Sequence, residues 1–158
     1  MGKLTDVQIE DVLKRQTFGR LGCYACDTVY IVPISFVYDG KNIYCHSLEG
    51  KKITMMRENP EVCFELEIME NMGNWKSVVC WGRYQELTGL ESRQYVIDLL
   101  LQRLAVLEAS EELPIPLNWA HHTKAKNDGS SDTVMFRIAI KKKTGRFEQQ
   151  DICSYYTY

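Results

Sequence analysis

VYIVPISFVYDGKNIYCH, Val29 to His46, is the stretch on which the fold turns. Val29 to Tyr38 is rich in β-branched and aromatic residues, Asp39-Gly40 is a two-residue hairpin signal, and Asn42 to His46 resumes the β pattern. Arg20 to Cys26, just upstream, reads as a further strand, so two consecutive hairpins predict an antiparallel meander. One residue disturbs the pattern. Pro33 has no N–H to give to a ladder, so its strand must lie at an edge, carry a bulge, or run beside something that is not protein.

Beyond the hairpin, Gly50-Lys51-Lys52 follows the strand, and Ile53 to Arg57 reads as one or two helical turns stopped by Asn59-Pro60. If Lys51 opens the turn, its free N–H groups and two ammonium groups converge on one spot and make an anion site, with Ser47 or Glu49 as the cap. A solvated lysine pair opening an amphipathic helix fits the same spacing. This is no P-loop: no glycine stands five residues before Gly50, and Ile53 follows Lys52.

Working outward, Thr5-Asp6-Val7-Gln8 is a capping box for a short helix with Ile9, Val12 and Leu13 on one stripe, closed by Thr17 and Gly19. Val62, Phe64, Leu66 and Ile68 alternate with polar residues and predict a strand with one buried face. Met69 to Trp75 reads as a loop, and Ser77 to Leu87 as a strand in which Gly82 marks a bulge or a close approach. Glu91 to Ala109 is the longest helix. A Pro-bearing connection (Leu113 to Asn127) and the turn Asn127 to Ser131 lead to a final strand, Val134 to Ile140, followed by Thr144-Gly145-Arg146. About six strands, with helices inserted between them rather than alternating with them, predict a mainly β fold, an antiparallel barrel with peripheral helices.

The 158 residues form one domain, 1–158, of ordinary globular composition, 45% hydrophobic and 25% charged. A net charge of −2 gives nucleic-acid binding no global support. No run reaches the ~18 apolar residues of a membrane span, the N-terminus is amphipathic rather than a signal peptide, and Asp6 spoils the myristoylation pattern that Met1-Gly2 begins. A cytoplasmic protein with reduced cysteines is expected. Cys23 and Cys26 form a CxxC, but three residues apart on a strand they point to opposite faces, and no second pair completes a zinc site. No metal is expected.

Among the three histidines, His46 ends a strand, whereas His121 and His122 sit beside Trp119 in the connection. Arg20 opens a strand from which it can reach an anion, and Trp75-Lys76-Ser77 opens another. The signatures G-x-S-x-G, H-E-x-x-H and G-x-G-x-x-G are absent.

The ordered set FGRLGC (18–23), YIVPISF (30–36), YDGKNIYCHS (38–47), GKK (50–52), NPEVCFE (59–65), WKSVVCWG (75–82) and TGR (144–146) resembles the flavin-binding split-barrel proteins related to pyridoxamine 5′-phosphate oxidase, and within them the nitroimidazole-resistance type. The resemblance implies a six-stranded split β-barrel of the FMN-binding type, a homodimer with FMN at the subunit interface, and FAD as the alternative cofactor. It also implies an FMN-dependent oxidoreductase acting on a small molecule such as a 5-nitroimidazole. By the same resemblance Lys51 and Lys52 hold the phosphate, Arg20 lies near it, and Val32, Pro33 and Ile34 run beside the isoalloxazine. Cys45, His46 and Ser47 bond the ring edge or ribityl chain, Ser77 reaches the cofactor, and His46 is the catalytic candidate. The Trp/Arg substrate signature of true pyridoxamine phosphate oxidases is missing, since FEQQDICSYYTY follows Arg146. The competing readings are a B6-phosphate oxidase and a non-enzymatic flavin or haem module, for which His46, His121 and His122 are the only imidazoles available to iron.

Overall fold

The computed structural model describes residues 1–109 and 133–150. His121, His122, Cys153, the Pro-bearing connection, the Asn127 to Ser131 turn and the C-terminal tail lie outside the described residues. After a two-residue strand β1 (Gly2–Lys3), helix α1 (Asp6–Arg15) opens as its sequence predicts. The Gln8 N–H donates to Thr5 Oγ1 at 3.3 Å, and the Thr5 N–H donates to Gln8 Oε1 at 2.9 Å. Ile9, Val12 and Leu13 enter the core, each worth roughly 1.5–3 kcal/mol of burial. The helix stops at Arg15, and Gly19, expected to close it, already lies in the next strand, β2 (Phe18–Ala25).

β3 (Thr28–Ser35) returns along β2 through a turn at Cys26 and Asp27, both with positive φ. Cys26 is therefore a turn residue rather than a strand residue, exposed where Cys23 is buried. β4 (Val37–Tyr38) and β5 (Asn42–Leu48) make the expected hairpin with its tip one residue on: the Asp39 N–H donates to Asn42 O at 3.3 Å, leaving Gly40-Lys41 at the turn. Helix α2 (Lys51–Glu58), β6 (Glu61–Asn71), β7 (Asn74–Glu86), helix α3 (Leu90–Ala109) and β8 (Thr133–Glu148) complete the chain.

Every ladder is antiparallel, and the strands run in the order β3-β2-β6-β7-β8-β5-β4, with β1 added to β8. Three expectations need correction. The meander does not exist as drawn: the Val29 to Tyr38 run breaks at Phe36, whose N–H donates to Thr17 O at 2.9 Å while its ring sinks into the core edge-on to Phe64. β3 and β4 thus stand at opposite ends of the sheet path. Met69 to Trp75 is not a loop but the tip of the β6–β7 hairpin, tightened by Asn71 Oδ1 accepting from the Gly73 N–H at 2.9 Å. The mainly β, antiparallel fold with a few helices is as expected, but the six-stranded split barrel is revised in strand number and closure. The described residues form one eight-stranded sheet whose two ends meet only because a single residue joins them; no ladder closes it.

Two readings are borne out. Pro33 lies on an edge strand, paired on one side only, opposite Arg20. Gly82 sits where the β7–β8 register slips, and a Cβ there would lie 2.7 Å from Ala139 O. Residues from nearly every strand, with α1 and α2, share one core, while α3 covers a second, smaller cluster at Val37, Tyr44 and Met135.

Candidate functional site

α2 carries the Gly-Lys-Lys segment, and its start is unusual. Gly50 is the N-cap with φ 158° and ψ −174°, a conformation open essentially to glycine alone. Among the described residues no side chain caps the helix, and neither Ser47 nor Glu49 plays the expected part: Ser47 Oγ donates to Leu48 O at 2.8 Å, and Glu49 is taken by Arg57. The first N–H groups of α2 are left without a side-chain acceptor, with Lys51 and Lys52 on that same turn.

The helix is held from both sides of the sheet. Asn59 Nδ2 donates to Tyr24 O at 2.9 Å, and the Cys26 thiol donates to Glu58 at 3.1 Å, which raises its pKa. Arg57 reaches Glu86 at the end of β7. So anchored, α2 sets the Lys51 ammonium 5.0 Å from the centre of the Tyr30 ring. Tyr30 pairs across the ladder with Cys23. Burial pushes the Cys23 thiol up, and the nearby Lys52 charge pulls the other way.

The remaining expected site residues fall in separate places. Arg20 is neutralised: its guanidinium donates to Glu65 and Glu67, each at 3.0 Å, which raises its pKa. Ser77 Oγ donates to Glu65 at 3.0 Å, so Arg20 and Ser77 share one carboxylate on the outer face of the sheet. Along β3, Val32 and Ile34 turn to the core with Tyr30, whereas Pro33 is exposed beside Arg20. Cys45 is fully buried, and burial alone pushes its thiol far up, leaving it neutral. His46 is half-buried and, by strand alternation, shares the face of Tyr44 under α3, opposite Cys45 and Ser47. The structure therefore groups Lys51 and Lys52 with Tyr30 and Cys23, and Arg20 with Ser77; it brings neither group to His46 by a described contact.

The sequence reading missed Tyr30, Glu65, Glu67 and the Arg57 partners. Glu65 and Glu67 had a signal, since the β6 alternation puts both on the face opposite Phe64 and Leu66. Tyr30 had a weaker one in its period-two spacing with Val32 and Ile34. On the outer face, a trough of about 490 Å³ has Gly22 and Cys63 among its lining, with Val29, Ile31 and Trp81.

The family model described as pyridoxamine 5′-phosphate oxidase matches residues 5–147. The chain belongs to the pyridoxamine 5′-phosphate oxidase-like family. An uncharacterized family relative from Rhizobium meliloti is 32% identical over 143 residues, covering 88% of this chain and 89% of its own. The crystal structure of a FAD-binding protein from Mesorhizobium loti is 31% identical, with a TM-score of 0.69, over 94% of this chain and 98% of that one. A candidate 5-nitroimidazole antibiotic resistance protein from Bacteroides thetaiotaomicron, 19% identical with a TM-score of 0.63 over 92% and 88% of the two chains, shares the fold. No helix among the described residues is long and apolar enough to cross a membrane.

Proposed function

We propose that this pyridoxamine 5′-phosphate oxidase-like chain binds a flavin by its phosphate at the Gly50-Lys51-Lys52 turn and works as a flavin-dependent oxidoreductase. The observation that carries the reading is the uncapped start of α2. A glycine-only backbone conformation, free N–H groups and two lysines meet there, as an anion requires. The donor set fits a phosphate at the lysines and fits poorly at Arg20, whose charge is already spent on Glu65 and Glu67. The flavin, when bound, supplies the electron transfer; Lys51 and Lys52 hold its phosphate, and His46 is the proposed residue beside the reacting ring.

FMN is the first choice, from the sequence resemblance, and FAD the second, favoured by the FAD-binding Mesorhizobium relative. Reduction of nitro compounds is the proposed activity; oxidation of a B6 phosphate is the alternative that family membership allows. A homodimer is part of the proposal, supported by Val29 and Ile31, 68% and 63% exposed on the edge strand β3 beside Trp81. A cytoplasmic location accords with the free thiols of Cys23, Cys26, Cys45, Cys63 and Cys80.

The test is a titration. A charge-assisted hydrogen bond to phosphate contributes about 1.5–3 kcal/mol, so Lys51→Ala and Lys52→Ala should each weaken FMN roughly 10- to 150-fold. Riboflavin, which lacks the phosphate, should be nearly indifferent. His46→Ala should keep FMN affinity and lower turnover with a nitroaromatic acceptor. Equal FMN dissociation constants for the wild type and both lysine variants would defeat the proposal.

A further inference from the structure

We propose that Arg57 is a positioning residue for the phosphate turn, acting through Glu49, and so contributes to selection of phosphorylated over unphosphorylated flavin. The proposal rests on the phosphate reading given above. Arg57 lies in the last turn of α2, yet its guanidinium reaches back over the helix to the residue before Gly50. Nη2 donates to Glu49 Oε1 at 2.7 Å and Nη1 donates to Glu49 Oε2 at 3.0 Å, a two-pronged grip. The same guanidinium grips Glu86 at the end of β7: Nε donates to Oε2 and Nη2 to Oε1, both at 2.8 Å. Glu86 is in turn fixed by the Tyr84 hydroxyl, which donates to it at 2.8 Å, while the Tyr84 N–H donates to Pro60 O at 2.8 Å. The chain of contacts runs from β7 through Arg57 to Glu49 and ends at the peptide entering Gly50.

That peptide needs holding. Among the described residues, nothing lies within 4 Å of where a Gly50 side chain would start, and no side chain caps the N–H groups of the turn. The Gly50 carbonyl is fixed by the Ile53 and Thr54 N–H groups at 3.0 and 3.1 Å, so a glycine's freedom is left to the peptide on its N-terminal side, where Glu49 enters the turn. Only a guanidinium, planar and forked, can bind two carboxylates edge-on in this manner.

A purely electrostatic role makes the opposite forecast, and this gives the test its sign. Glu49 is an acidic group beside an anion site. If charge alone mattered, Glu49→Gln would tighten FMN and Arg57→Lys, which keeps the charge, would change nothing. Positioning predicts that both variants weaken FMN, by about threefold to tenfold given the partial exposure of these pairs. Riboflavin affinity should move by less than about twofold. The experiment is a fluorescence titration of FMN and riboflavin into the full chain, wild type, Glu49→Gln and Arg57→Lys, with apo-protein melting as the check on folding. Tighter or unchanged FMN binding in Glu49→Gln overturns the proposal, and so does parallel weakening of FMN and riboflavin. A wild type that binds both flavins equally removes the phosphate reading itself, and the positioning role falls with it. Phosphate preference that persists unaltered in both variants removes only the role of Arg57.

Discussion

Replacing Gly50 by alanine isolates the backbone contribution to the site. A Cβ built at Gly50 meets nothing within 4 Å, so packing is not in question. What changes is the conformation: φ 158° with ψ −174° costs a non-glycine residue about 1–3 kcal/mol. The variant has two ways to respond. If the turn keeps its shape, the whole cost falls on stability, and for a chain of this size the melting temperature should drop by roughly 3–10 °C. If the turn relaxes, stability is largely kept, but the N–H groups of Lys51 and Lys52 turn away from their common focus. FMN should then weaken about tenfold while riboflavin holds. Melting by circular dichroism together with paired FMN and riboflavin titrations reads both outcomes. Gly50→Ala with an unchanged melting temperature and an unchanged FMN-to-riboflavin ratio would refute the claim that this glycine is conformationally required.

Gly82→Ala should be costlier for a different reason: its Cβ would press on Ala139 O and Ile138 Cγ2, both at 2.7 Å, and backbone must move to relieve it. A loss of about 3 kcal/mol in urea unfolding is expected, with flavin affinity unchanged. Asp39 should control acid stability. Burial tends to raise its pKa, but N–H donors from Asn42 and Lys41 and the hydroxyls of Tyr44 and Tyr95 outweigh this and hold it below the usual carboxylate value. A lowered folded pKa gives stability that is full above the unfolded value and lost as pH falls through the folded one. Unfolding monitored below about pH 4 should therefore be less pH-sensitive in Asp39→Asn than in the wild type. The double variant Cys23→Ala and Cys26→Ala should keep its flavin, since Cys23 is a buried filler and Cys26 bonds Glu58 in a turn; loss of flavin with the fold intact would contradict that.

Local rules carried the sequence reading furthest. The Thr5 capping box, the hairpin signalled by Asp39-Gly40, the alternation of Val62, Phe64 and Leu66, and the Gly82 irregularity each depend on residues a few positions apart, whose geometry is set by backbone sterics and side-chain parity. Pro33 restricted its strand to an edge, a bulge or a non-protein neighbour because a missing N–H is a property of the residue itself, and the fold chose the edge. The Gly-Lys-Lys turn was legible as a helix start, and its two lysines do share that start with a glycine that the backbone requires.

Tertiary structure decided everything that depends on partners far along the chain. Phe36 ends a strand that propensity would continue, because the core takes its ring against Phe64 and Thr17 takes its N–H. Arg20 was a cation without an address until β6 came alongside; Glu65 and Glu67, 45 and 47 residues away, then claimed its guanidinium. Glu49, expected to cap a helix, instead meets an arginine that α2 carries back to it, and that arginine is anchored to Glu86, 29 residues on. Residue type and spacing state which charges and hydrogen-bonding groups a segment offers. Which of them remain available to a ligand depends on what the fold lays beside them, because neighbouring carboxylates compete for the same donors.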